Sequence, residues 1–113
     1  MISTHVLDTA RGRPAVGVPV ALTSVGADPS SAREIARATT DADGRARDLG
    51  PGGMALRAGT YRLTFDTAVY FAALGVESFY PEVVVTFVVR DASQHYHVPL
   101  LLSAYGYSTY RGT

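Results

Sequence analysis

The sequence predicts an all-β protein, a sandwich or barrel interrupted by one short helix. About seven or eight short segments alternate apolar and polar residues, the two-residue period expected of strands with one buried face. Gly, Pro and Asp separate these segments at short intervals, as turn-forming residues do. The chain of 113 residues suits a single domain, residues 1–113, which can bury a core without disulfides.

The first half of the chain contains three predicted strands. Two are expected at Ser3–Asp8 and Val18–Thr23, on either side of a turn that contains Gly and Pro. Arg33–Thr40 also has residues that favour helices, but it is short and lies between turn signals, so we interpret it as a strand. Asp41–Gly44 (DADG) is a tight turn, in which glycine suits a positive φ. The same pattern begins calcium loops, but the later ligands of such a loop are missing.

The second half of the chain shows the clearest strand periodicity. After a glycine-rich loop at Gly50–Gly53, the segments Thr60–Asp66 and Glu82–Arg90 alternate apolar and polar side chains. The segment between them, Thr67–Leu74, has helical composition. We predict a short helix there, capped at its start by Asp66 or Thr67 and ended by Gly75.

The stretch His95–Thr113 (HYHVPLLLSAYGYSTYRGT) concentrates the candidate functional side chains. Read as a hairpin, it places His95 and His97 on one face of its first strand, and Ser108 and Tyr110 on one face of its second. Such a face would line a polar pocket or a subunit interface, although a half-polar solvent-exposed surface explains the pattern as well. The opposite face of the first strand is predicted to be core: Tyr96, Val98, Leu100 and Leu102.

Composition argues against several classes of function. Ten Arg, with no Lys, balance ten Asp and Glu, so the formal net charge is zero, which argues against nucleic-acid or anionic-membrane binding. No apolar run is long enough to span a bilayer. The chain starts without the basic and apolar regions of a signal peptide, so the cytoplasm is the expected compartment.

Three histidines and one arginine are the candidates for chemistry. A neutral imidazole can act as a base near pH 7, and His97 is preferred to His95 because it lies further into its strand. His5, His95 and His97 could supply the three protein ligands of a catalytic zinc site. The final hairpin, however, has no Asp or Glu to orient the imidazole rings. No G-x-S-x-G motif supports a serine triad. Arg45, directly after the tight turn, is either a solvated charge or a fixed donor to an oxyanion.

Four motifs, in order and over essentially the whole chain, resemble the 5-hydroxyisourate hydrolases, the transthyretin-like enzymes of purine catabolism. The resemblance implies a Greek-key sandwich of two four-stranded sheets with one short helix, assembled as a homotetramer with active sites in a channel between dimers. Two positions depart from the family pattern, Thr113 in place of the usual Ser and Ala104 in place of the usual turn residue. The motifs are His5-Val-Leu-Asp-x3-Gly12-x-Pro14-Ala, Thr40-x3-Gly44-Arg45, His95-Tyr-His97-Val-Pro-Leu-Leu-Leu-Ser and Tyr110-Arg-Gly-Thr113.

The resemblance also implies an activity, the hydrolysis of 5-hydroxyisourate to 2-oxo-4-hydroxy-4-carboxy-5-ureidoimidazoline in urate degradation, with no cofactor and no metal. His5, Arg45 and His97 match the catalytic residues, the histidines handling the water and Arg45 the developing oxyanion. Which histidine is the base is left open. Two alternatives remain: a non-catalytic small-molecule carrier of transthyretin type, and a sandwich that only mediates protein contacts. The expected substrate-binding residues are His5, Arg45, Ser108, Tyr110 and Thr113.

Overall fold

The computed structural model describes residues 1–26, 28–50 and 56–113. Residues 51–53 of the predicted Gly50–Gly53 loop therefore lie outside the described residues. The ambiguous segment at Arg33 is a strand, as predicted, and the other predicted strands are present with ends shifted by one or two residues. The elements are β1 Ile2–Asp8, β2 Arg13–Pro14, β3 Pro19–Val25, a 3-10 turn Pro29–Ser31, β4 Arg33–Thr39, β5 Arg45–Ala46, β6 Gly59–Phe65, α1 Thr67–Ala73, β7 Val83–Val89, β8 Tyr96–Leu102 and β9 Tyr107–Thr109.

The strands form the predicted two-sheet sandwich. One sheet has the order β4-β3-β6-β7, and the other has the order β2-β1-β8-β9 with β5 also paired to β1. The second sheet thus has five strands among the described residues, where the resemblance implied four. The two-residue strands β2 and β5 pair with different parts of β1, at Leu7–Asp8 and at Thr4–His5. They therefore share one edge position, which keeps the sheet four strands wide.

The first and last long strands, β1 and β8, are neighbours and run parallel, whereas the other described pairings are antiparallel. Parallel neighbours need a long crossover connection, and here that connection is most of the chain. The register places Ser3 opposite His97 and His5 opposite Pro99. Residues opposite each other share a sheet face, so this pairing brings side chains from both ends of the sequence onto one outer surface.

The core lies between the two sheets, and strand alternation determines which residues enter it. In β8 the predicted core residues Tyr96, Val98, Leu100 and Leu102 are all buried. In β6 the buried residues are Tyr61, Leu63 and Phe65, and their neighbours on the other face remain partly exposed. On the outer face of β8, His97 and Leu101 are only partly buried, although Pro99 between them is buried.

The short helix α1 is anchored by side chains rather than by a cap. Asp66 occupies the N-cap position, as predicted, but it makes no side-chain capping bond, and the Thr67 hydroxyl donates instead to the carbonyl of Tyr80 at 3.0 Å. Thr67 is fully buried, so its hydroxyl requires a partner, and this carbonyl supplies one. Tyr70 donates to Asp8 Oδ2 at 2.6 Å, and burial beside this carboxylate raises the pKa of Tyr70 to about 12. Within the described ranges, no helix has the length and apolarity to cross a membrane.

Candidate active site

A polar cleft of about 270 Å³ opens on the outer face of the β1–β8 sheet. Three of the sequence-predicted site residues meet there, Arg45, His97 and Thr113. The other lining residues were not selected from the sequence as site residues, and they come from the starts of β1 and β8 and from the segment after β5. They are Ser3, Thr4, Arg47 and His95.

The His97 ring is held from two sides. Ser3 is only 6% exposed, and its hydroxyl oxygen lies 2.8 Å from Nδ1 of His97. The backbone N–H of Gly112 donates to the carbonyl of His97 at 2.8 Å, which fixes the main chain beneath the ring. Because Ser3 occupies Nδ1, the nitrogen of His97 left for a ligand in the cleft is Nε2.

The environment of His97 favours a neutral imidazole. Partial burial of the ring lowers its pKa, since an imidazolium would lose solvation there. The positive charges of Arg45, His5 and His95 lower the pKa further, in that order. At neutral pH, His97 therefore keeps a lone pair available to accept a proton.

The Asp41–Gly44 turn sets the position of Arg45. The carboxylate of Asp41 accepts hydrogen bonds from the backbone N–H groups of Arg45 at 3.0 Å and Asp43 at 2.9 Å, which hold the pKa of Asp41 below its usual range. Gly44 has a φ of 76°, and a Cβ atom there would lie 2.5 Å from the Val6 carbonyl oxygen, so only glycine fits. The chain leaving this turn pairs Arg45 directly with His5 across β1.

The guanidinium of Arg45 is not neutralised by the acidic residues of the turn. Arg47 is their partner, with Nη2 3.3 Å from Asp43 Oδ2 and Nε 3.7 Å from Asp41 Oδ2. Among the described residues, none of the ion pairs involves Arg45. A positive charge is thus presented to the cleft beside His97, which suits binding of an oxyanion.

His5 lies in an adjoining depression rather than in the cleft itself. That depression shares Arg45 and Arg47 with the cleft, and His5 is close enough for its charge to contribute to the lowered pKa of His97. Nε2 of His5 lies 2.8 Å from the carbonyl oxygen of Asp43. A carbonyl only accepts, so Nε2 of His5 carries a hydrogen and a neutral His5 has its lone pair at Nδ1.

Ser108 and Tyr110 do not line the cleft. Ser108 pairs with Leu101 in the sheet, whereas Gly112 is the residue opposite His97, so at about 3.3 Å per residue Ser108 is roughly 13 Å further along the strand. Tyr110 is 58% exposed and borders an apolar concavity at the sheet edge with Phe87 and Val88. Within one chain, the sequence-predicted binding residues are therefore divided between separate surfaces.

Ser3 and Arg47 are the residues that sequence reasoning missed. Arg47 carries a local signal, because it follows Arg45 by two residues and so can share its face. Ser3 carries none, since its partners His95 and His97 are 92 and 94 residues away. In the part of the chain that the structure describes, no three His, Cys, Asp or Glu side chains are grouped to hold a metal ion.

Comparison with known proteins defines the class as a transthyretin-like β-sandwich. The sequence model of the HIUase/Transthyretin family matches residues 2–112, and the chain belongs to this family. A probable 5-hydroxyisourate hydrolase of Caenorhabditis elegans is 48% identical over 99% of this chain and 81% of the relative. The 5-hydroxyisourate hydrolase of Mus musculus is 44% identical over 99% of this chain and 94% of the relative.

Solved structures agree on the fold but include proteins of different function. The 5-hydroxyisourate hydrolase of Klebsiella pneumoniae superposes with a TM-score of 0.85 at 38% identity, covering 99% of this chain and 98% of that one. Sea bream transthyretin in complex with thyroxine superposes with a TM-score of 0.90 at 31% identity, covering 99% and 94%. The sandwich is confirmed by both, and the backbone alone does not separate an enzyme from a carrier.

Proposed function

We propose that this protein is a 5-hydroxyisourate hydrolase, which opens the six-membered ring of its substrate to give 2-oxo-4-hydroxy-4-carboxy-5-ureidoimidazoline in urate catabolism. One observation carries the proposal: the neutral His97 ring and the guanidinium of Arg45 face the same cleft. A base beside a fixed positive charge is the pair of groups that attack of water on a carbonyl requires. The 5-hydroxyisourate hydrolases among the relatives are up to 48% identical to this chain over the aligned residues, which supports the same assignment.

His97 is the general base in this proposal. Its Nε2 accepts a proton from the attacking water as the water oxygen bonds to the ring carbonyl carbon. Arg45 stabilises the negative charge that develops on the carbonyl oxygen. The proton on Nε2 then passes to the ring nitrogen as the carbon–nitrogen bond breaks, so the single ring-opened product carries the hydroxyl of the water on its carbonyl carbon and the hydrogen on its nitrogen.

His5 has a binding role beside the base. Its Nε2–H is held by the Asp43 carbonyl, which orients the ring next to Arg45. In that orientation Nδ1 is the nitrogen free to contact the substrate or its water. His97 is assigned as the base because its lowered pKa keeps it neutral at pH 7 and, among the described residues, its Nε2 has no hydrogen-bond partner.

Ser108, Tyr110 and Thr113 complete the binding site across subunits. Thr113 lines the cleft of its own chain, whereas Ser108 and Tyr110 lie outside it on exposed positions of the same sheet. A second copy packed against this outer face would bring its Ser108 and Tyr110 to the cleft. Because membership of the transthyretin-like family implies a tetramer with sites between dimers, we propose a homotetramer, which light scattering or analytical ultracentrifugation can measure. A cytoplasmic location, and the absence of nucleic-acid and membrane partners, remain predictions from the sequence.

The decisive experiment separates hydrolysis from ligand carriage, the alternative that the transthyretin superposition keeps open. Freshly prepared 5-hydroxyisourate is mixed with the protein, and the loss of its ultraviolet absorbance is followed. A hydrolase accelerates the decay in proportion to protein concentration. A carrier, or a sandwich that only mediates protein contacts, leaves the spontaneous decay rate unchanged, and that result would overturn the proposal.

A further inference from the structure

The hydroxyl of Ser3 bridges two imidazoles. Its oxygen lies 2.8 Å from Nδ1 of His97 and 2.9 Å from Nε2 of His95. All three residues line the cleft, and Ser3 is buried, His97 half-buried and His95 exposed, so the contacts run from a shielded ring to one that is open to solvent. These two contacts engage the single hydrogen of the Ser3 hydroxyl and one of its lone pairs.

The single hydroxyl hydrogen couples the tautomers of the two rings. If Ser3 donates to His95, then Nε2 of His95 is unprotonated and Nδ1 of His97 must donate to Ser3. The lone pair of a neutral His97 is then on Nε2, where a base acting in the cleft needs it. The opposite polarity would place a hydrogen on Nε2 of His97 and remove that lone pair.

We propose that His95, Ser3 and His97 form a proton relay, in which Ser3 fixes the tautomer of His97 and His95 takes up positive charge at the solvent end. This inference rests on the proposed hydrolysis. When Nε2 of His97 accepts a proton from water, Nδ1 of His97 gives its hydrogen to the Ser3 oxygen, and the Ser3 hydrogen passes to Nε2 of His95. When His97 protonates the leaving ring nitrogen, the transfers reverse, so no proton is gained or lost. Ser3 and His95 are positioning residues, since neither touches the reacting atoms.

The charges around the cleft give the relay its direction. His97 faces Arg45 on β5 and His5 on β1, with Arg47 also lining the cleft, so an imidazolium at His97 is repelled by fixed positive charge. His95 is exposed, so water solvates an imidazolium there. Moving the charge through Ser3 therefore places it where it costs less.

The tautomers can be measured without any substrate. Nitrogen-15 spectra of the three labelled histidines, assigned with single His→Gln variants, report which ring nitrogen carries hydrogen. The relay requires Nδ1–H on His95 and His97 at neutral pH, and the Asp43 contact requires Nε2–H on His5. Nε2–H on a neutral His97 would overturn the proposal. Because this measurement needs no substrate, it tests the hydrogen-bond arrangement even if the protein does not hydrolyse 5-hydroxyisourate.

Kinetic variants test the proton transfers. Ser3→Ala is expected to lower kcat about tenfold, less than the loss of the base itself, with KM largely unchanged. Ser3→Thr keeps the hydroxyl and should restore kcat, and Ser24→Ala, a serine of the other sheet, is the matched control. His95→Gln keeps a partner for Ser3 but cannot accept a proton, so it should lower kcat while leaving the His97 tautomer intact. Full kcat in a folded His95→Gln protein would eliminate the relay.

Discussion

The imidazole of His97 lies directly over the backbone of Gly112. A Cβ atom added to Gly112 would come within 2.6 Å of Cδ2 and 3.3 Å of Cγ of His97. Carbon atoms in favourable contact are about 3.5–4.0 Å apart, so any side chain here would push the ring away. The glycine of the terminal Tyr-Arg-Gly-Thr sequence thus leaves room for the proposed base, while its N–H holds the base's backbone.

Gly112→Ala is expected to displace the His97 ring from Ser3 and to lower kcat by about tenfold or more, since a misplaced base transfers protons poorly. The thermal unfolding midpoint should change little, because Gly112 is at the surface end of the hairpin. Gly106→Ala is the matched control, since the nearest atom to a Cβ there is Oγ of Ser103 at 3.8 Å, an ordinary contact distance. Equal kinetics for the two variants would remove the steric role of Gly112.

His97→Ala is expected to lower turnover by roughly a hundredfold or more, the typical loss for a general base. The protein should still fold, because the flanking residues Tyr96 and Val98 are the ones that pack in the core. His95→Ala should be milder, since His95 acts only through Ser3. Steady-state kinetics and circular dichroism of both variants provide the check, and losses of equal size would show that the wrong histidine was assigned as base.

The rate is expected to fall on acidification. The reaction needs neutral His97, and burial with the nearby charge of Arg45 lowers its pKa, so the acid limb should lie below the ordinary histidine value of about 6.5. Rates corrected for spontaneous decay, measured from about pH 5 to 8, give the profile, and the spectra of His97 give its pKa independently. A rate that rises as pH falls would indicate an imidazolium acid instead.

Catalysis is expected to proceed without a metal. The basis is the sequence resemblance together with the placement of His5, whose Nε2 is engaged by Asp43 rather than turned toward His95 and His97. Activity is measured after dialysis against a chelator, with the metal content checked by mass spectrometry. Activity that disappears with chelation and returns with Zn²⁺ would restore the zinc alternative for the three histidines.

Deleting Tyr110–Thr113 is expected to abolish turnover and leave a folded sandwich. The deletion removes Thr113 from the cleft and the Gly112 bond beneath His97. It also removes Arg111, which lies 4.7 Å from the centre of the Tyr96 ring, so a modest loss of stability is expected. A fusion tag after Thr113 should lower activity more than one before Met1. Full activity in the truncated protein would exclude the terminal residues from the site.

Local patterns in the sequence were sufficient for most of the fold. Alternation alone identifies the core residues of β8, and the aspartate–glycine turn identifies where Arg45 must emerge. Asp66 stands at the predicted N-cap, but the expected capping bond is absent, and the Thr67 hydroxyl bonds to Tyr80 instead, a tertiary contact that local patterns do not report. The pairing of both β2 and β5 with β1 could not be predicted from local sequence either, because it depends on which part of β1 each segment reaches in the folded chain.

The site was only partly accessible from the sequence for the same reason. His97, Arg45 and Thr113 stand in recognisable motifs and do meet in the cleft. Ser3 belongs to none of the four sequence motifs, and it lies beside His97 only because β1 and β8 pair in parallel with this register. Ser108 and Tyr110 were grouped with His97 by strand alternation, but alternation does not report distance along the strand.

The pairing of β1 with β8 also has a kinetic consequence. Contacts such as Ser3 to His97 span 94 residues, and folding slows when native contacts join distant parts of a chain, because a long loop must close first. On the ribosome, β1 emerges early, and the edge of β1 that pairs with β8 stays unpaired until β8 has been synthesised. During that interval its unpaired backbone groups are open to wrong partners, including other nascent chains. Expression yield should therefore respond to translation temperature and chaperone supply more than the stability of the finished protein suggests.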